Sequence, residues 1–554
     1  MRQKKTWNFK RTLVITLFVI LGISVFTAIL GLYNLKPFLS KRIQSAVLAT
    51  TDSLYYIDFK GIKYDIVTGN AHILEVTLRA DTSLFSSLKK EKKMPDNVYQ
   101  GKVNNIQLTG LKPWAIFFSK ELDLNSILIQ DPIVEIIHQK QPYNSFTTIK
   151  SPYQIISKFI KSFSVQKISL KNIDFTYNNL LRPEKHRVSK LKNLDLEVSD
   201  VLIDSLSHKD TLRFYYTKEC IFSLNKLEFQ AEDSLNTLKI KELLFSTKSR
   251  ILTMKHLIYQ PRYSEMEYSN RTQGDDRIGV VFNDVKLEQI DLHKLFEEKK
   301  IYAKLLRINH GKVNVFTDTR IFNIPPKPKY RPYPHEDFRG WDAKFMIDTI
   351  KLSNFDITYS EYNPETSLVG NVMFNKIHGN VTNFTNDTIP LQKNPHCIVF
   401  LRAKLMDKAA MFLKFNFDVM APKGDFICTG KVSNMEMAAV NQVTKALVMA
   451  KTEKGFVSDF SFVMNADKYG INGSMTMLYQ DLNVTILKKT SEKKAFKERK
   501  ILSFIANTFL VKNGNPIRKK PVRIAIIKYT RVPTRPFFYT IWKGLVEGVK
   551  GSVL

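Results

Sequence analysis

Two widely separated stretches of this chain spell the same interrupted strand. Val165–Tyr177 reads V-Q-K-I-S-L-K-N-I-D-F-T-Y, and Ile347–Tyr359 reads I-D-T-I-K-L-S-N-F-D-I-T-Y. In the first, Ile168 and Leu170 share a face, Lys171-Asn172 interrupts, and Ile173, Phe175 and Tyr177 resume on a shifted register. In the second, Ile350 and Leu352, then Ser353-Asn354, then Phe355, Ile357 and Tyr359 repeat it. Strand side chains alternate between faces, so a shift of one residue would turn the later apolar set outward. A bend or bulge at the Asn restores one buried face, and Asn suits it because it tolerates positive φ. Weaker copies run over Leu305–Val315, which holds Ile308, and over Ile127–Ile137 and Val103–Leu111. Their irregular spacing excludes a fixed-period solenoid. Alternation also marks Ile57–Leu78. The expectation is a mostly β chain that reuses one strand–bend–strand unit in a long sheet with one apolar face.

The amino-terminus carries a different signal. Thr12–Leu35 holds no charge over 24 residues, enough helix to cover the ~30 Å of a bilayer core at about 1.5 Å per residue. Arg2, Lys4, Lys5, Lys10 and Arg11 precede it without any acid. By the positive-inside rule, residues 1–11 stay in the cytoplasm, 12–35 anchor, and the rest crosses the membrane. A cleaved signal peptide would have a shorter apolar core and a small-x-small site. Lys36–Thr51 reads as a continuing amphipathic helix. The chain's net charge of +32 sits at its ends: residues 1–42 carry +8 and residues 488–554 carry +14, leaving +10 over the middle 445. That distribution suits anionic membrane surfaces, and no nucleic-acid recognition motif accompanies it.

Helices are expected over Pro152–Phe163 and over Asn434–Lys454, the latter closed by Gly455. Ile324–Pro334 holds five prolines and reads as an extended connector, 324–340, between a β region at 36–323 and another at 341–487. Cys220, Cys397 and Cys428 are too few for a disulfide framework. No catalytic motif, metal-ligand spacing or cofactor fingerprint is present, so no catalytic residue, metal or cofactor is assigned. Asp275-Asp276 reads as a solvated turn, and His335-Glu336-Asp337 as a weak cluster.

Phe456–Leu487 is the most specific stretch. Three alternating strands follow one another: Phe460, Phe462 and Met464; Met475, Met477 and Tyr479; Leu482, Val484 and Ile486. Gly470 and Asn472-Gly473 supply turns. Upstream stand Gly430-Lys431-Val432 and Val440-Asn441; Gly455 opens the stretch, and Gly473 with Leu478-Tyr479-Gln480-Asp481-Leu482 closes it. This order, over 428–487, resembles the carboxy-terminal region of the AsmA-like family of Gram-negative envelope proteins, relatives of the TamB-type proteins. The resemblance implies a single inner-membrane anchor and a long, curled antiparallel β-sheet in the periplasm. It also implies that the inner face of that sheet is an apolar groove for phospholipid bound towards the outer membrane.

On that reading the groove candidates are Ile168, Leu170, Ile173, Phe175, Ile308, Ile350, Leu352, Phe355, Ile357, Phe460, Phe462, Met475, Met477, Leu482, Val484 and Ile486. The residues alone leave open a closed β-sandwich built on the same apolar set. The basic tail, 488–554, ends in an amphipathic helix over Phe537–Leu554. Phe538, Ile541, Trp542, Leu545 and Val549 share a face that fits a membrane interface or the end of the sheet. The expected partners are membrane phospholipids, the inner membrane through the anchor, and other envelope proteins. The rival function is an envelope scaffold that pairs strand edges with outer-membrane polypeptides.

Overall fold

A computed structural model describes residues 54–554 apart from 66, 113–114, 116–117, 142–150, 158–159, 183–184, 231–234, 321–329, 490–495, 499–510 and 518–519. The uncharged run Thr12–Leu35 and the segment Lys36–Thr51 lie outside the described residues. Among those described, no helix is long and apolar enough to cross a membrane. Among the described residues the chain is mostly β, with 22 strands and few helices. It forms two compact units: 1–227 with 242–252, and 228–241 with 253–554. Residues 330–340 of the expected connector lie inside the second, while 324–329 lie outside the described residues.

The first unit contains β1 (Tyr55–Asp58), β2 (Gly61–Asp65), β3 (Asn70–Ala80), β4 (Asn97–Thr109), β5 (Glu121–Gln130), β6 (Ile133–His138), β7 (Ser162–Arg182) and β8 (Lys185–Ile203). β1 and β2 pair with β3, and β3 with β4, all antiparallel. β5 and β6 behave as one strand kinked at Asp131-Pro132: both pair antiparallel with β4 and parallel with β7. Parallel neighbours need a long crossover. Here it contains a short helix, Pro152–Ile156, opened by a capping box between Ser151 and Gln154. The expected helix to Phe163 is shorter because β7 has begun by Ser162. The core of the unit is one cluster running from Leu54 to Ile203, with Leu88 and Ile156 brought in by the short helices.

Strands β9 (Thr217–Gln230), β10 (Asn236–Ser246) and β11 (Ile251–Pro261) follow. The second unit continues with β12 (Arg277–Ile290), β13 (Ile301–Asp318), β14 (Phe345–Asn363), β15 (Leu368–Thr385), β16 (His396–Leu405), β17 (Ala409–Asp418), β18 (Phe426–Glu436), β19 (Ala450–Ala466), β20 (Gly470–Lys489), β21 (Phe496–Glu498) and β22 (Ile524–Thr530). From β14 to β20 each strand pairs antiparallel with the next, and β22 pairs with β20. β13 and β14 are parallel. Their crossover again carries a short helix opened by proline, Pro334–Arg339, capped by Glu336 accepting from the Tyr333 N–H at 2.8 Å. Proline is at home there because the first helical N–H has no partner to lose.

The interrupted strands bend where the sequence indicates. Asn172 and Asn354 sit inside β7 and β14 at φ 57° and 56°. Register shifts fall between Leu170 and Ile173, and between Leu352 and Phe355. The bulges extend across neighbours. Asp131 (φ 51°) accepts a hydrogen bond from Asn172 Nδ2. His310 (φ 54°) stands beside Asn354 in the parallel register, and Lys376 (φ 53°) follows on β15.

Two expectations near the carboxy-terminus change. The stretch Asn434–Lys454 is not one helix. It ends β18, passes a 3-10 turn at Met437–Val440, forms a helix only over Asn441–Val448, and re-enters a strand at Ala450. Met449, at φ 51°, closes that helix, while Gly455 lies inside β19. The three strands expected over 456–487 are two. Asp467 makes the turn, its carboxylate accepting the N–H groups of Tyr469 and Gly470 at 2.8 and 3.0 Å. Asn472-Gly473 is strand. β20 runs through Asp481, a bulge at φ 55° rather than a turn.

Candidate functional site

Strand registers turn the one-sided patterning into continuous apolar rows. In the second unit one row passes Leu287, Leu306, Ile350, Val381, Val399, Phe415, Cys428, Met464, Gly473 and Ile527. Its neighbour passes Val285, Ile308, Leu352, Gly379, Leu401, Leu413, Gly430, Phe462, Met475 and Ala525. Beyond the bulges a third passes Val280, Val313, Ile357, Phe374, Leu405 and Ala409. No charged side chain stands in any of them. The opposite face begins Lys286, Arg307, Lys351, Asn380.

One end of these rows is covered by protein. The helix Phe537–Val553 turns Thr540, Gly544, Gly548 and Ser552 inward. A Cβ at Gly544 would stand 3.1 Å from Ile471 Cδ1, and one at Gly548 only 2.6 Å from Met475 Cε. The glycines therefore let the helix backbone lie against the sheet. Phe537 anchors its start among Phe415, Phe417 and Phe426, with ring centroids 5.7–6.2 Å apart. Towards β13–β16 the cover thins: Leu306, Ile308, Leu352, Ile357, Val381, Val399 and Leu401 are half-buried.

The first unit shows the same gradient. A row passes Ile73, Ile106, Ile129, Leu170, Leu196 and Phe222. Leu170 is 4% exposed, while Leu196 and Phe222 are half-buried. From β9 to β13 several apolar residues are buried, but among the described residues none of them is part of the three core clusters.

The sequence candidates thus separate. Ile168, Leu170 and Ile173 are core of the first unit, with Phe175 half-buried beside them. Ile350 and Phe355 are buried on β14, where Phe355 lies over Gly311, and Ile308, Leu352 and Ile357 are half-buried. Phe462, Met475, Met477 and Leu482 are buried, and Phe460, Val484 and Ile486 half-buried. On the last helix Ile541, Leu545 and Val549 pack against the sheet cluster, Trp542 is half-buried, and Phe538 is exposed with its ring 5.7 Å from Tyr359. Sequence reasoning missed Leu306, Val313, Phe374 and Leu401. Period two was visible there, but only the register shows which face each joins.

Polar groups stand at the ends of these strands. Asp276 is a half-buried acid rather than part of a solvated turn. It accepts from Thr317 Oγ1 at 2.6 Å, and burial pushes its carboxyl up to about 6. Glu361 accepts from Tyr359 Oη at 3.0 Å and is also raised by burial. His335 is buried among Tyr333, Phe417 and Phe426, and its burial pushes it down to about 4. Cys397 and Cys428 are buried thiols, both pushed up to about 12 by burial, and all three cysteines are unbridged. Among the described residues no group of His, Cys, Asp and Glu is placed to hold a metal ion. No family model matches the chain, and no curated protein matches it.

Proposed function

We propose that the chain is a lipid-binding and lipid-transfer protein of a Gram-negative envelope, anchored in the inner membrane by Thr12–Leu35. Acyl chains of glycerophospholipid would lie on the half-buried apolar rows and move towards the outer membrane. One observation carries the reading: rows without a charge continue across β12–β16, and among the described residues neither a second sheet nor a helix buries them fully. An apolar face costs about 25 cal/mol for each Å² left in water, so a face of this extent favours a hydrocarbon partner. The resemblance over 428–487 to AsmA-like proteins supports the same reading. The polar reverse face suits water, and the chemistry required is binding alone.

The test is extraction of the full chain after detergent is exchanged for a lipid-free amphipathic polymer. The reading expects phospholipid to remain bound, and to fall several-fold in an Ile357→Lys/Leu352→Lys variant that keeps its thermal transition. Full retention of lipid by that folded variant would remove the rows from the lipid path.

A further inference from the structure

The helix that sequence singles out for membrane contact turns Ile541, Leu545 and Val549 onto the sheet. The strand before it does the reverse. Along β22 exposure alternates, with Ala525 and Ile527 beneath the helix and Ile524 and Ile526 facing out at 67% and 80% exposure. These isoleucines end otherwise mostly polar rows of the outer face. Ile526 follows Lys414, Thr429, Val463 and Ser474, and Ile524 follows Lys431, Ser461 and Thr476. Val522 is also exposed, as are Lys520 and Lys528.

Asp459 pairs with Lys431 farther along that face, at 2.6 Å, but the charge carried by the chain on either side of the two isoleucines has one sign. No Asp or Glu occurs from residue 499 to residue 546. Exposed isoleucines on an acid-free basic strand match the interface of an anionic bilayer, where apolar side chains enter the acyl boundary and lysines meet lipid phosphates. Strand addition by a polypeptide is less suited. β22 is seven residues long, and Pro521 and Pro533 bracket it, both features that blunt an edge. The side chains that stand out do so from its face.

We propose that the outward face of β22, with Ile524 and Ile526 inserting and Lys520 and Lys528 flanking, docks on an anionic lipid bilayer. The surface is separate from the apolar rows and does not need them to carry lipid.

The full chain, held in nanodiscs of neutral phosphatidylcholine, is offered fluorescent vesicles of either phosphatidylglycerol or phosphatidylcholine. Capture of the anionic vesicles, weakened by salt, and no capture of the neutral ones is expected. Ile524→Ser/Ile526→Ser should lower capture about tenfold or more, since each removes an apolar side chain that the bilayer would take out of water. Its unfolding midpoint should stay unchanged, because both residues are already in water. Lipid retention by the rows is measured on the same variant and should equal that of the wild type, so failure of docking and failure of the groove are read separately. Equal capture of neutral vesicles, undiminished capture by the double variant, or capture only of vesicles carrying an outer-membrane polypeptide would each overturn the proposal.

Discussion

Asn354 and Asn172 are polar residues in apolar strands, and their use is conformational. Each holds a left-handed backbone that lets the apolar set stay on one face across a bulge. A β-branched residue resists that conformation, at a cost of order 1–3 kcal/mol. Asn354→Val should therefore lower the denaturant midpoint, while Asn354→Gly, with no Cβ to strain, should stay close to wild type. Asp276 makes a second, opposite prediction. Its folded carboxyl titrates near 6, above the ordinary value of 3.8, so the folded state keeps a proton that the unfolded chain has released. Stability tied to that proton is present below the unfolded value and is lost as pH rises towards 6. Asp276→Asn keeps an acceptor for Thr317 and cannot ionise. It should raise the melting temperature at neutral pH, by up to about 3 kcal/mol in stability, and change little at pH 4. The two asparagines were legible because polar residues interrupt a clear alternation. His310 and Lys376 take the same conformation, but their residue types give no such sign. Asp276 looked solvated because its sequence neighbours are polar; the strands beside it determine its burial.

Among elements, the last helix depends on missing side chains. Gly548→Val would place atoms where Met475 and Ile527 already stand, and overpacking of this kind costs about 1–3 kcal/mol. The variant should release the helix to limited proteolysis at lower temperature than the wild type, while Lys550→Ala, on the exposed side, should not. The helix was legible in its length and amphipathicity. Its orientation was not, because a large apolar face and a small-residue face both fit burial, and only the sheet's own side chains decide between them. The strand–bend–strand pattern also stood for a larger unit. Both strong copies, β7 and β14, follow crossovers with a proline-opened helix and pair parallel with the weaker copies before them. Such pairing is non-local and leaves no mark within a short window. Helix length misled at Asn434–Lys454 for a related reason: an apolar run of mixed period supports a short helix followed by a strand as well as one long helix.

For the molecule as a whole, the question that sequence leaves between groove and sandwich is how well each apolar position is covered. Leu170, 4% exposed within a cluster that includes Ile168 and Val198, should not tolerate a charge. Leu170→Lys should yield unfolded or degraded protein in an expression and thermal-melt comparison. Ile357→Lys, at a half-buried position, should yield a folded chain. The central claim is that acyl chains occupy the apolar rows of the second unit. The most direct measurement places a photoactivatable amino acid at Leu352 or Ile357, and in separate chains at Lys351 or Lys312 on the opposite face, then illuminates them in membranes with labelled phospholipid. Phospholipid adducts are expected at Leu352 and Ile357, and none above background at Lys351 and Lys312. Equal labelling of the two faces, or none at the apolar positions while the chain is folded, would contradict that claim.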